Sequence, residues 1–424
     1  MSSINIIGGK PLLGEIEIQG SKNAALPILA GTILHQGVTR LEGCPKISDV
    51  LHMSEILEEL GCVVTWEKKT LIVDATTLSK HAVVGEVAKK TRASVLFLGA
   101  LLGREKTAVV SYPGGCSIGE RPIDLHLAAL RKLGVSIKED LDLLYCNVAQ
   151  MTGSKIHFSF PSVGATENII LASVLAEGET NLYNAAREPE IVALCEFLVA
   201  AGANISGIGT SHLKIEGVQE LKEVTYKIPA DRIVAGTYLT AVAGAGGSAV
   251  LHGVREKEIR MVVKMLRKAG CSVDFSGEHC LIRREKRLKS VSKIETKPFP
   301  GFPTDMQSQF MAILSTAMGE SKIVENIFEA RFLVADELVK MGANIEIRQD
   351  TSTAIIYGVK QLHGTPVVGK DLRGAAALVI AGLMADGVTT VSGMEYVMRG
   401  YEDICSDLIS LGANVTESVC RIAK

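Results

Sequence analysis

Apolar and polar positions along the chain fall into a repeating order. An amphipathic run closes on a leucine-rich phrase and a glycine six times: LEELGC at 57, LRKLGV at 130, LVAAGA at 198, LRKAGC at 266, LVKMGA at 338 and LISLGA at 408. The glycines, at 61, 134, 202, 270, 342 and 412, recur about every 70 residues. Each suits the position just past a helix C-terminus, where φ is positive. The alternation that follows, as in CVVTW or ANIEI, predicts a strand. A second phrase, rich in small residues, also recurs six times: SKNAALPILAGTIL, TRASVLFLGALLG, SVGATENIILASVLAEG, DRIVAGTYLTAVAGAGG, TDMQSQFMAILSTAMGE and DLRGAAALVIAGLMADG. Helices apolar on nearly every side belong inside a domain. Each is followed by a strand-like run such as TAVVSY or KIVENI. The unit therefore holds two helices and several strands. Six units predict an α/β protein of two domains, three units each, with sheets outside and helices within.

The starts of the small-residue helices carry unexpected charge. A buried helix N-terminus bears free N–H groups and a partial positive charge, which favour Asp, Ser or an anion. Lys22, Arg92, Arg232 and Arg373 nevertheless sit at or just inside four of these starts. One such cation is as readily a side chain reaching to solvent. Four in equivalent places predict a shared anionic ligand.

Composition narrows the partners. With 45 Lys and Arg against 47 Asp and Glu, the formal net charge is −2, which gives no general attraction to nucleic acid or an anionic membrane. The opening stretch MSSINIIGGKPLLGEIEIQG lacks a basic segment followed by a long apolar run, so the expectation is a cytoplasmic protein. Nine cysteines form an odd set without C-x-x-C spacing and without clustered histidines. They predict core thiols, with no disulfide framework and no metal site. GIG at 207 and GAGG at 244 lack the third glycine of a dinucleotide loop, and no P-loop motif occurs.

The segment PGGCSIGERPID (113 to 124) places Cys116 among Gly114, Gly115 and Gly119. Pro122 and Asp124 signal a helix from about Asp124, with Ile123, Leu127 and Leu130 facing inward. Arg121 stands just ahead of it, where a phosphate would meet both a guanidinium and backbone N–H groups. Neighbouring arginines would favour the Cys116 thiolate. In FPTDMQSQF, Thr304 and Asp305 fall at a helix start, where Asp305 also reads as a simple cap. NAAREPEI and FEARF set arginine beside glutamate before a helix, and structural ion pairs would account for both.

Together, SKNAALPILA, TRAS, PGGCSIGERPIDLH, SVGAT, NAAREPEI, FPTDMQSQF, DLRGAAALV and RGYE resemble the UDP-N-acetylglucosamine 1-carboxyvinyltransferases, a family of enolpyruvyl transferases that begins peptidoglycan precursor synthesis. The resemblance runs from Gly14 nearly to the last residue. It implies two inverse α/β barrel domains, each of three βαβαββ repeats, with the active site in the interdomain cleft. One domain would be 21–229 and the other 1–20 with 230–424. The family transfers the enolpyruvyl group of phosphoenolpyruvate to the 3′-hydroxyl of UDP-N-acetylglucosamine without a metal or other cofactor. Lys22, Arg121 and Arg399 would hold the phosphoenolpyruvate phosphate, with Asn23, Arg92 and Arg373 completing the wall. Arg121, Pro122, Ile123, Asp124 and Leu125, with Ser162, Val163 and Gly164, would line the uridine and diphosphate site. Asp305, as base, and Ile327 would contact the sugar, and Arg331 is a further cleft arginine. Cys116 would be the general acid at the methylene carbon and the thiol alkylated by epoxide antibiotics such as fosfomycin.

Phe160 and Pro161 stand where many members carry Lys and Val, which removes a cation near the diphosphate, and Val234 replaces a Glu found in some. The sister enzyme 5-enolpyruvylshikimate-3-phosphate synthase shares the repeat but lacks the PGGCSIGERP loop. A silent sugar-nucleotide-binding paralogue is disfavoured because both Cys116 and Asp305 are present. A ring-shaped DNA clamp would need a basic inner face, against the near-neutral charge.

Overall fold

A computed structural model describes residues 3–112, 119 and 121–418 of the protein. These form two units, one of residues 20–112 and 121–229, the other of 3–19, 119 and 230–418. Each unit has its own apolar core.

Six four-stranded sheets lie among the described residues, three in each unit. All share one order of strand directions, a parallel pair followed by two antiparallel pairings. In the sheet of Ala82–Val83, Thr107–Ser111, Ser136–Asp140 and Leu143–Asn147, the first two strands are parallel, and the last two form a hairpin whose second strand runs antiparallel to Thr107–Ser111. A buried helix connects the parallel pair, as parallel strands require a long crossover. Two sheets are completed by the amino-terminal segment. Ser3–Ile7 inserts between Val388–Ser392 and Asn414–Ser418, and Leu12–Glu17 pairs with Gly247–His252. Residues 3–19 are thereby tied to the 230–418 unit by two separate sheets.

The buried helices are Lys22–Gly31, Leu96–Glu105, Val163–Ser173, Arg232–Ala245, Gln307–Leu314 and Leu372–Met384, of which all but Lys22–Gly31 and Arg232–Ala245 join the parallel strands of one sheet. Their side chains are buried on almost every side, as their composition predicts. They pack on one another within each unit: Leu96–Glu105 on Val163–Ser173, and Gln307–Leu314 and Arg232–Ala245 on Leu372–Met384. The outer helices are amphipathic instead; Glu256–Lys268 buries Ile259, Val262, Val263 and Leu266 and exposes Arg260, Lys264 and Arg267. The glycine after each outer helix has positive φ, from 83° at Gly412 to 107° at Gly202, which the repeated phrase required. Cys44, Cys62, Cys146, Cys195, Cys271, Cys280 and Cys405 are buried free thiols. Burial pushes Cys62, Cys146 and Cys271 up to about 11 and Cys195, Cys280 and Cys405 up to about 12, so they are packing residues rather than nucleophiles.

Close helix packing depends on Gly99. Its N–H donates to Asn168 Oδ1 at 2.7 Å, and a Cβ there would stand 2.2 Å from the Asn168 carbonyl oxygen. Helix propensity alone would make Gly99→Ala stabilising by about 1 kcal/mol. Because backbone must move, we expect instead a loss of roughly 2 kcal/mol or more, read from the urea midpoint. An unchanged or raised midpoint would contradict this packing.

Candidate functional site

The expected site residues fall into two constellations, one in each unit. In the 20–229 unit, Lys22 opens the helix Lys22–Gly31, capped by the Ser21 hydroxyl, which accepts from Ala24 N–H. Its ammonium lies 3.0 Å from Asp49 Oδ2, a carboxylate almost wholly buried in the first turn of Ser48–Glu59. Asn23 follows, half-buried. Arg92 begins a short 3-10 turn, Arg92–Val95, that leads into Leu96–Glu105, and its guanidinium donates to the backbone carbonyl of Arg121. Pro122 is exposed, Ile123 buried, and the helix begins at Asp124, with Leu125 packed against the core. Ser162 caps the helix Val163–Ser173 by accepting from Ala165 N–H, so Val163 and Gly164 form its first turn.

The Arg92, Arg121 and Gly164 pieces meet around His126, a residue the sequence did not single out. The Gly99 N–H fixes Asn168 Oδ1 as an acceptor, which leaves Asn168 Nδ2 to donate to the Val95 carbonyl at 3.0 Å and to His126 Nδ1 at 2.8 Å. The imidazole is therefore neutral with its proton on Nε2. A Cβ on Gly164 would lie 3.1 to 3.2 Å from that ring, so glycine admits the close approach. Burial pushes the His126 pKa down to about 3, and the Arg92 and Arg121 guanidiniums, both near enough to act on it, push the same way. Glu167 moves oppositely: burial, with Glu190 and Glu188 beside it, raises its pKa well above the usual carboxylate range against the pull of Arg121. Arg92, Arg121, Gly164 and the Ser162 cap thus form a cationic and N–H-rich face backed by a neutral histidine.

In the 230–418 unit, Asp305 lies in a single 3-10 turn, Thr304–Met306, ahead of Gln307–Leu314. It is not a cap. Its Oδ1 accepts from Arg331 Nη2 at 2.7 Å, and its Oδ2 accepts from Arg373 Nη2 at 2.9 Å and Nε at 3.2 Å. The two arginine side chains are 3% and 4% exposed and the aspartate 26%, so the carboxylate presents the open edge of the cluster. Burial acts to lower the Arg373 pKa, but the negative fields of Asp305 and Asp231 outweigh it and hold the value above the ordinary one. Behind Arg373, the buried Tyr401 hydroxyl shares a 2.7 Å hydrogen bond with Thr237. Ile327 lies half-buried on the segment that leads to Arg331. Arg399, also half-buried, lies in the turn after Met394–Val397. Gln19 holds that turn, donating to the Gly400 carbonyl at 3.1 Å and accepting from Glu402 N–H at 2.8 Å.

The cations at helix starts require a correction. Lys22 faces Asp49, Arg92 the Arg121 carbonyl, Arg373 faces Asp305, and the Arg232 guanidinium lies 5.7 Å from the Phe299 ring centroid. Each has a partner within the protein, so their recurrence does not by itself require a bound anion. The Arg331 of FEARF pairs with Asp305 instead of its neighbouring Glu329. Cys116 lies outside the described residues. Among the described residues no His, Cys, Asp and Glu side chains gather into a group that would hold a metal ion, and no helix is long and apolar enough to cross a membrane.

The fold is that of the enolpyruvyl transferases. The enolpyruvyl transferase NikO from Streptomyces tendae superposes with a TM-score of 0.87 at 23% identity, over 98% of this chain and 99% of its own. An EPSP synthase from Acinetobacter baumannii superposes at 0.75 and 18% identity, over 99% of this chain and 100% of its own. The chain belongs to the family of EPSP synthase (3-phosphoshikimate 1-carboxyvinyltransferase), which it matches over residues 6–408. Within that family its sequence is similar to proteins named UDP-N-acetylglucosamine 1-carboxyvinyltransferase. One from Caldanaerobacter subterraneus subsp. tengcongensis is 45% identical over 415 residues, and one from Thermodesulfovibrio yellowstonii is 43% identical over 416 residues. Both alignments cover 98% of this chain and 99% of the relative.

The buried histidine gives this face a pH signature. Folding favours the neutral ring, so its contribution is complete above the unfolded value of 6.5 and is lost as pH falls toward 3. Between about pH 6 and about pH 4, the unfolding free energy of the parent should fall more steeply than that of His126→Gln, by about 1.4 kcal/mol per pH unit. Parallel slopes would mean that the ring accepts a proton in the fold without cost.

Proposed function

We propose that the protein transfers the enolpyruvyl group of phosphoenolpyruvate to the 3′-hydroxyl of UDP-N-acetylglucosamine and releases phosphate, the first committed step of peptidoglycan precursor synthesis in the cytoplasm. The observation that carries this is near-full-length similarity, at 43% and 45% identity, to two enzymes named for that reaction. The shikimate-pathway alternative is supported more weakly, since the EPSP synthase of like fold is only 18% identical.

The chemistry assigns each group a task. The sugar hydroxyl adds to the enol carbon while the methylene carbon gains a proton, giving a tetrahedral phosphate adduct. Loss of a proton from the new methyl group and of phosphate then leaves the enol ether. Asp305 takes the hydroxyl proton: it is the most exposed member of the cluster, and the two arginines fix its direction. Cys116 delivers the proton to the methylene carbon. Lys22, Arg121 and Arg399 hold the phosphate of phosphoenolpyruvate, with Asn23, Arg92 and Arg373 completing the wall, and this preorganised charge favours the phosphate as it leaves. Ser162, Val163 and Gly164 offer helix N–H groups to the diphosphate beside Arg121, and Pro122, Ile123, Asp124 and Leu125 border the uridine. Phe160, 43% exposed, adds no cation there. Ile327 packs against the sugar, and Arg331 secures Asp305.

Purified protein without added metal should release phosphate only when phosphoenolpyruvate and UDP-N-acetylglucosamine are both present. Equal release with shikimate 3-phosphate would overturn the assignment. In the same assay Asp305→Asn, which keeps the shape but not the basicity, should lower turnover by about two or more powers of ten with little loss of sugar-nucleotide affinity. Near-normal turnover with a lowered melting temperature would make Asp305 structural only.

A further inference from the structure

Glu325 lies in the strand-like run KIVENI, where the sequence assigns it no role, yet it organises the segments that carry Asp305, Ile327 and Arg331. It follows the strand Glu320–Val324 and is 3% exposed. Its Oε1 accepts from the Thr296 hydroxyl at 2.9 Å and from the backbone N–H groups of Ile327 at 2.8 Å and Phe328 at 3.2 Å. Its Oε2 accepts from the Thr304 hydroxyl at 2.9 Å. Thr296 extends the clamp, since its hydroxyl accepts from Asn326 N–H at 2.9 Å and its carbonyl from Asn326 Nδ2 at 3.1 Å.

These contacts close a ring. Thr304 immediately precedes Asp305, and Phe328 places its ring 5.4 Å from the Arg331 guanidinium carbon. Arg331 in turn holds Asp305. One carboxylate therefore fixes both ends of the arc spanned by the Asp305–Arg331 pair. Buried as it is, Glu325 has no face for a ligand. We infer that Glu325 is a positioning residue for the proposed transfer: it sets the place of the Asp305 carboxylate through Thr304 and of Ile327 through its backbone N–H. The inference rests on the function proposed above. Its physical basis is that a general base must lie within hydrogen-bond reach of the proton it takes, and a displacement near 1 Å costs on the order of 100-fold in rate.

Three variants and a cycle test it. In Glu325→Gln the amide nitrogen can only donate, so one arm of the clamp is reversed or lost at constant size. Thr304→Val removes the single arm next to Asp305, and Thr304→Ser retains it. We expect kcat to fall about tenfold or more in Glu325→Gln and Thr304→Val, with both KM values changed by less than about threefold, and Thr304→Ser to restore most of the rate. In an Asp305→Asn background, Glu325→Gln should cost little further rate, since both act through one group. Rate losses that multiply in the double variant, or an unchanged kcat in both single variants, would overturn the inference. Should Glu325→Gln fail to fold, the same cycle is run with Thr304→Val. Amide hydrogen exchange at Ile327 and Phe328 supplies a readout independent of turnover. Faster exchange there in folded Glu325→Gln supports the clamp even if the parent is inactive with these substrates, and unchanged exchange contradicts it.

Discussion

Two guanidinium groups almost wholly withdrawn from water make the 230–418 unit depend on one carboxylate. Burying a charge is costly unless it is paired and hydrogen-bonded, and breaking such a pair by removing one member costs about 3 to 5 kcal/mol. Asp305 supplies that pairing to Arg331 and Arg373 through three hydrogen bonds while staying the most exposed of the three. The same bonds that make the arginines tolerable inside the protein fix the direction in which the carboxylate faces outward. Under the proposed transfer, stability and chemistry place demands on the same atoms, and the surrounding residues relieve them: Asp231 through its field on Arg373, and Glu325 through the backbone N–H groups of the segment that leads to Arg331.

Around His126 the 20–229 unit meets a comparable demand with a neutral group. A buried imidazole stays neutral because Asn168 donates to it and because two guanidiniums and burial all oppose its protonation. Uncharged, it sits against the first turn of Val163–Ser173 at no electrostatic cost to the positive end of that helix. Gly99 and Gly164 permit the contact, one by letting two helices close on Asn168 and the other by leaving room for the ring. Arg92 and Arg121 then add positive charge to a surface already rich in N–H groups.

Much of the architecture was legible because its causes are local. The six outer-helix glycines and the all-apolar helices each follow from a few neighbouring residues. The partners that decide the sites are distant in sequence and carry no local signal. Asp49 for Lys22, Asn168 for His126 and Glu325 for Thr304 lie 27, 42 and 21 residues away. A cation at a helix start looked like a request for a ligand because only the fold could reveal Asp49 or Asp305 opposite it. A polar residue at the end of an apolar run was the one sign that pointed to Glu325, and such residues are common at strand ends. The reading of Cys116 as a chemical group rests on its glycine and arginine neighbours alone, since its place lies outside the described residues.

The proposed transfer is tested most directly by following the reacting carbon. Phosphoenolpyruvate isotope-labelled at its enol carbon, incubated with UDP-N-acetylglucosamine and the protein, should yield a nuclear magnetic resonance signal for a labelled enol ether coupled through oxygen to the sugar carbon that bears the 3′-hydroxyl. One phosphate should appear for each ether formed. Labelled pyruvate beside unchanged sugar nucleotide, or an ether on any other hydroxyl, would contradict the account.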